Sequence, residues 1–91
     1  MKTCTVTILN PLGLHARAAA RFVQAATGFS SRIRVGRAGR EADGKSIMGL
    51  LLLLASKGTV ITITADGSDE AAAIDGLCGL IERRFDEAPC A

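Results

Sequence analysis

Apolar residues in this chain recur first at every second position, then at every third or fourth, and the two periods go on alternating. Residues 3–8 begin the pattern: Thr3, Thr5 and Thr7 point one way, and Cys4, Val6 and Ile8 the other. That is the signature of a half-buried strand. Asn10-Pro11-Leu12-Gly13 interrupts it as a loop. From Ala16 the period lengthens, and Ala19, Phe22, Val23 and Ala26 form one apolar helix stripe. Gly28 is expected to end this helix as a left-handed cap, with Phe29 packing back. Ile33 and Val35 alternate with Arg32 and Arg34 as a second strand. After the turn at residues 36–39, residues 40–43 return as a third. Gly44-Lys45-Ser46 leads into IMGLLLLLAS, a short apolar helix capped by Ser46, which Lys57-Gly58 closes. Residues 59–65 alternate again, with Ile61, Ile63 and Ala65 on one face. Asp66-Gly67-Ser68 turns the chain, and Ser68 or Asp69 caps a last helix with the stripe Ile74, Leu77, Cys78, Ile81 and Phe85. The order is β-α-β-β-α-β-α. Strands with one apolar and one polar face predict an α+β fold, with helices on one side of an antiparallel or mixed sheet and water on the other.

The 91 residues fit one domain, residues 1–91, and leave no room for two. Apolar residues make up 48% of the chain and aromatic ones 3%, so the core rests on Ala, Val, Ile and Leu. A net charge of +2 is too mild by itself to imply nucleic acid or an anionic membrane. MKTCTVTIL lacks the apolar block and cleavage site of a secretory signal. The longest apolar run, Ile47 to Ala55, is far short of the ~20 residues of a membrane span. Cys4, Cys78 and Cys90 are odd in number and widely spaced, which suggests neither a disulfide framework nor a zinc site. Reduced thiols in the cytoplasm are the expectation, with Cys4 and Cys78 in the core.

His15 and Ser46 occupy matching places, each after a glycine-containing loop and just before a helix. The first N–H groups of a helix lack internal partners and carry partial positive charge, which suits phosphate. At the first junction those groups begin with the Ala16 N–H, and Arg17 can add a guanidinium. The positive helix end and Arg17 disfavour an imidazolium, so His15 is expected to offer a neutral, nucleophilic nitrogen. A phosphoryl group on that nitrogen lands where its charge can be neutralised. "DGKS", residues 43–46, lacks the first glycine of a nucleotide-binding loop, so the phosphate should come from another protein. No second acid–base group stands beside His15, which disfavours an independent enzyme. A simple capping role remains open for His15 and Ser46 at this level.

"GLHARAAARF", residues 13–22, resembles the active-site segment of the HPr phosphocarrier family of the bacterial phosphotransferase system. "GKSIMGLLLLLASKGTVITI", residues 44–63, resembles that family's second hallmark segment. The resemblance spans the chain and implies an open-faced β-sandwich, its four-stranded antiparallel sheet ordered 1-4-2-3 with three helices on one face. It implies that enzyme I, drawing on phosphoenolpyruvate, phosphorylates His15 on Nδ1, and that the group passes to a histidine of an enzyme IIA domain. Arg17 would be the phosphate's cationic partner. Ser46 matches the serine modified by HPr kinase/phosphorylase. A phosphate there would be tolerated at a helix start and would repel an acidic partner. The docking surface is expected on the exposed parts of the first two helices: Ala16, Ala20 and Gln24 with Ile47, Met48, Leu51 and Leu52. Leu50, Leu53 and Leu54 are expected in the core. No cofactor or metal is called for, and a monomer is expected. Position 18 is Ala where many members have Pro; Ala also suits a helix start, so the site should survive.

Three other readings compete. One is a regulatory phosphoprotein of the nitrogen-related branch, a flavour carried by "IERRFDE" at the chain end. Another is a binding protein controlled through Ser46 alone, which the presence of both His15 and Arg17 opposes. The third is nucleic-acid binding by the basic hairpin of Arg32, Arg34, Arg37 and Arg40, opposed by the absence of Tyr and Trp.

Overall fold

Alternation along residues 2–7 builds strand β1 (Lys2–Thr7). The structure, a computed structural model, describes residues 1–86. Helix α1 (Ala16–Thr27), strands β2 (Arg32–Arg37) and β3 (Arg40–Asp43), helix α2 (Ile47–Leu52), strand β4 (Val60–Asp66) and helix α3 (Glu70–Glu82) follow. A short 3-10 turn, Arg84–Asp86, comes after α3. The sheet order is β1-β4-β2-β3, and every neighbouring pair is antiparallel. The architecture is thus the α+β open-faced sandwich expected from the strand patterns and the resemblance.

Register puts the apolar sets on one face. Cys4 lies opposite Ile63, and Val6 opposite Ile61; Val35 and Ile33 flank Ile63 and Ala65 from the other side. Thr3, Thr64, Arg34 and Asp43 align across the opposite, solvated face. A one-residue slip would exchange the two faces, so burial holds this register. The helices cover the apolar face: Phe22 of α1, Leu50 of α2, Leu77 and Ile81 of α3, and Phe85 beyond it are all buried. Each such large side chain contributes about 1.5–3 kcal/mol by leaving water.

Three expectations are corrected. Gly28 does end α1, but in right-handed geometry (φ −72°, ψ −11°). Its N–H and that of Phe29 close the helix tightly onto the carbonyls of Ala25 and Ala26, so no left-handed residue is needed. The Phe29 ring lies beside Gly76 of α3. Leu54 is not core. Helix α2 spans only six residues, and Leu54 follows it with φ +56°, which turns the side chain out to 68% exposure. Finally, Cys4 and Cys78 are joined by a disulfide although 74 positions apart. The first strand and the last helix pack on each other, so chain distance is no measure of their separation. Cys90 lies outside the described residues. Among those residues, no helix is long and apolar enough to cross a membrane.

Asp69 precedes α3, but its side chain makes no cap bond to that helix. Its carboxylate accepts from the Ser31 hydroxyl and from the N–H groups of Ser30 and Ser31 (2.8 and 2.9 Å), tying the entry of β2 to the start of α3. Led by the Ser31 hydroxyl, these bonds lower the Asp69 pKa from 3.8 to about 2. The folded form therefore binds this proton more weakly than the unfolded chain does. The stabilisation is complete above the unfolded value and fades as pH falls towards about 2. Asp69→Asn should lower Tm at pH 7 and flatten the fall of Tm between about pH 4 and pH 2. Some slope should persist, because a hydrogen bond from the terminal amine also lowers Glu70. Thermal melts across that range check this; identical profiles would remove Asp69 from the acid response.

Candidate functional site

The loop between β1 and α1 is clamped onto the connection between α2 and β4. The Ile8 N–H donates to Thr59 O (2.9 Å), and the Gly58 N–H donates back to Ile8 O (2.8 Å). Farther on, the Leu14 N–H donates to Ala55 O (2.8 Å). Within the loop the Gly13 N–H donates to Asn10 O (3.0 Å), and the Asn10 amide donates to Gly13 O. Asn10 and Leu14 are buried. Gly13 is required twice over: its φ is +67°, and a Cβ would lie 2.6 Å from Ala55 O and 2.8 Å from Ser56 Cα. Sequence reading marked this stretch only as a break; its role in setting the following residue comes from tertiary contacts.

That residue is His15, half-buried and extended (φ −85°, ψ −179°) as the N-cap of α1. Its carbonyl accepts from the Ala19 N–H (2.8 Å). Its Nδ1 accepts from the Arg17 backbone N–H at 3.3 Å. As an acceptor, Nδ1 points towards the helix start. The first turn of α1 has no acidic residue, so nothing in that turn offsets the partial positive charge of its N–H groups. Ala16 and Arg17 are exposed. The arrangement sets an imidazole nitrogen beside donors that suit an anion, with solvent access.

Ser46 caps α2, its Oγ accepting from the Gly49 N–H at 3.1 Å. Just before it, Lys45 Nζ donates to Phe29 O (2.8 Å) and the Lys45 N–H to the Asp43 carboxylate (2.9 Å). Helices α1 and α2 pack against each other. Ala20 and Gln24 are exposed on α1, and Ile47, Met48 and Leu52 on α2, while Leu51 is partly buried against the core. Leu12 and Leu54 are also exposed, at 71% and 68%. The first sits on the loop before α1, and the second owes its place to the early end of α2. In the basic hairpin, Arg34 pairs with Glu41 (2.7 Å) and Arg37 donates to Leu53 O (3.1 Å). Two of its four cations thus have internal partners.

A family model described as the PTS HPr component phosphorylation site matches residues 2–83. The chain is 49% identical over 81 residues to a phosphocarrier protein HPr of Cupriavidus necator, covering 89% of this chain and 91% of that protein. A phosphocarrier protein NPr of Shewanella violacea is 42% identical over 83 residues, 91% of each chain. Among solved structures, HPr-C-His of Thermoanaerobacter tengcongensis superposes with a TM-score of 0.93 at 48% identity, covering 97% of this chain and 99% of that one.

Proposed function

The chain belongs to the HPr family of phosphotransferase-system phosphocarriers, and we propose that its carrier atom is Nδ1 of His15, which receives a phosphoryl group from enzyme I and yields it to an enzyme IIA histidine. The observation that carries this reading is the placement of Nδ1 beside the first N–H groups of α1, where it accepts from the Arg17 N–H. In the accepting step Nδ1 gives up the bond from the Arg17 N–H and attacks phosphorus, the bond from phosphorus to the donor's atom breaks, and that bond's electron pair leaves with the donor. The new phosphoramidate places its oxygens near the first N–H groups of α1, that of Ala16 included, where negative charge is favoured. Arg17 adds a full positive charge from the exposed side. Arg17→Ala should keep the nucleophile and slow transfer about tenfold, the worth of one charge-assisted contact; an unchanged rate would make Arg17 a surface residue only.

The direct experiment incubates the protein with enzyme I and phosphoenolpyruvate and reads intact mass before and after acid. One added phosphate, lost in acid, is expected; none from a proven active donor would overturn the reading. The proposed setting is a cytoplasmic monomer in the sugar-transport branch, with the nitrogen-related branch as the alternative that the NPr relative keeps in view.

Ser46 is proposed as a regulatory phosphorylation site for HPr kinase/phosphorylase. It is partly accessible and precedes the exposed apolar side chains of Ile47 and Met48. With Ala20, Gln24, Leu51 and Leu52 these would form the face that partners dock on. A dianion beside that face would repel an acidic partner more than it would disturb the fold. Ser46→Asp should therefore bind enzyme I several-fold more weakly, mainly through a slower on-rate, with little change in Tm. Equal binding by titration calorimetry would remove the repulsion.

A further inference from the structure

The seam between β1 and α3 holds two sulfurs that the carrier chemistry does not use. Cys4 faces inward from β1, opposite Ile63 and partly buried against the core. Cys78 lies on the inner face of α3 at 6% exposure, next to the fully buried Leu77. Their sulfurs are bonded, and their Cα atoms lie 7.1 Å apart. We propose that Cys4 and Cys78 are a reversible redox pair, a dithiol in reducing surroundings that an oxidant of the peroxide class closes into a latch between β1 and α3.

Both sulfurs are set in regular elements. β1 is paired with β4 from Lys2 to Thr7, and α3 is a thirteen-residue helix. No segment has to unfold for the sulfurs to meet. A Cα separation of 7.1 Å sits just outside the range that most disulfides span, so closing the bridge draws β1 and α3 slightly together. The two cysteines differ in access: Cys4 is the more open to solvent and Cys78 is buried. That difference divides the roles.

In the first step the Cys4 thiolate attacks one peroxide oxygen. The O–O bond breaks, and the departing hydroxide takes up the thiol proton as water, leaving a sulfenic acid on Cys4. Cys78 Sγ then attacks the Cys4 sulfur. The S–O bond breaks, and hydroxide leaves with the Cys78 proton as a second water. Two thiols and one hydrogen peroxide become one disulfide and two waters, the sulfurs losing two electrons and the peroxide gaining them. A dithiol reductant reverses the reaction by exchange through a mixed disulfide.

The latch acts on an edge. β1 has a single neighbour in the sheet, β4, and it feeds directly into the loop that carries His15. A cross-link over 74 positions removes much of the freedom of the unfolded chain. The oxidised form should melt about 10 °C or more above the reduced form, and the amides of β1 should exchange more slowly.

The test uses the full chain carrying Cys90→Ser, which removes the third thiol. The reduced protein is treated with stoichiometric hydrogen peroxide, alkylated in denaturant, and mapped by mass spectrometry without reductant. Expected are a loss of two hydrogens, a Cys4–Cys78 linked peptide that dithiothreitol opens, and the rise in Tm. Cys4→Ser in the same background, a change at a half-buried position, should fold and show no oxidant-dependent rise. Full alkylation of both cysteines after peroxide would overturn the proposal. So would sulfinic acid on Cys4 without a linked peptide, a link between two copies, or a linked form with no rise in Tm.

Discussion

His15→Ala is expected to take up no phosphate from enzyme I and phosphoenolpyruvate, the largest effect that any single change in this chain should produce. The imidazole is the chain's only one, so no neighbouring ring can substitute. The variant also loses the bond from the Arg17 N–H to Nδ1, and loss of an N-cap costs about 1 kcal/mol. A Tm lower by about 4–8 °C should accompany the loss of transfer. His15→Asn separates the two roles. Asparagine is a good N-cap but no phosphoryl acceptor, so Tm should be kept and phosphorylation abolished. Intact mass and thermal melts on the two variants check both halves. Acid-labile phosphate on either variant, at the parental rate, would move the acceptor away from position 15.

Gly13→Ala should damage stability and transfer together. The left-handed backbone alone costs a residue with a Cβ about 1–2 kcal/mol. The new methyl would also meet the Ala55 carbonyl and the Ser56 backbone at 2.6 and 2.8 Å, and overpacking of that kind costs about 1–3 kcal/mol. Neither neighbour is a flexible side-chain end, so the loop must move instead. Leu14 would lose its bond to Ala55 O, and His15 would shift with it. Near 3 kcal/mol in all, the change should lower Tm by about 12–24 °C. The fraction that remains folded should pass phosphate more slowly. A variant with parental Tm and rate would show that the loop is held by something other than this contact.

How far the sequence could be read depends on the range of the interactions involved. β1, β2 and β4 were legible because alternation is written into neighbouring residues such as Val6 and Ile8, or Ile61 and Ile63. Ser46 was legible as a cap for the same reason, and its bond to the Gly49 N–H is local. The run Leu50 to Leu54 was not, since five adjacent leucines carry no period. Their division into core and surface follows from where α2 stops and from the positive φ of Leu54. Asp69 reads as a helix cap, yet it serves Ser30 and Ser31 from the other end of a turn-and-sheet contact. The meeting of Cys4 with Cys78, and of Gly13 with Ala55, joins segments far apart in the chain. The position of His15 was plain from its motif, whereas the clamp that aims it is tertiary.

The place of β4 has a consequence for how the protein is born. It is the last strand to be made, yet it lies between β1 and β2. A nascent chain halted before Val60 therefore has one hairpin, β2 with β3, and no partner for β1. It also lacks Ala55, Gly58 and Thr59 or has only just acquired them, so the histidine loop has nothing firm to close on. Sheet and proposed acceptor site should thus emerge from the ribosome in one late step. Truncated products would present a bare apolar strand to chaperones and proteases, and no half-built carrier able to draw phosphate from the pool.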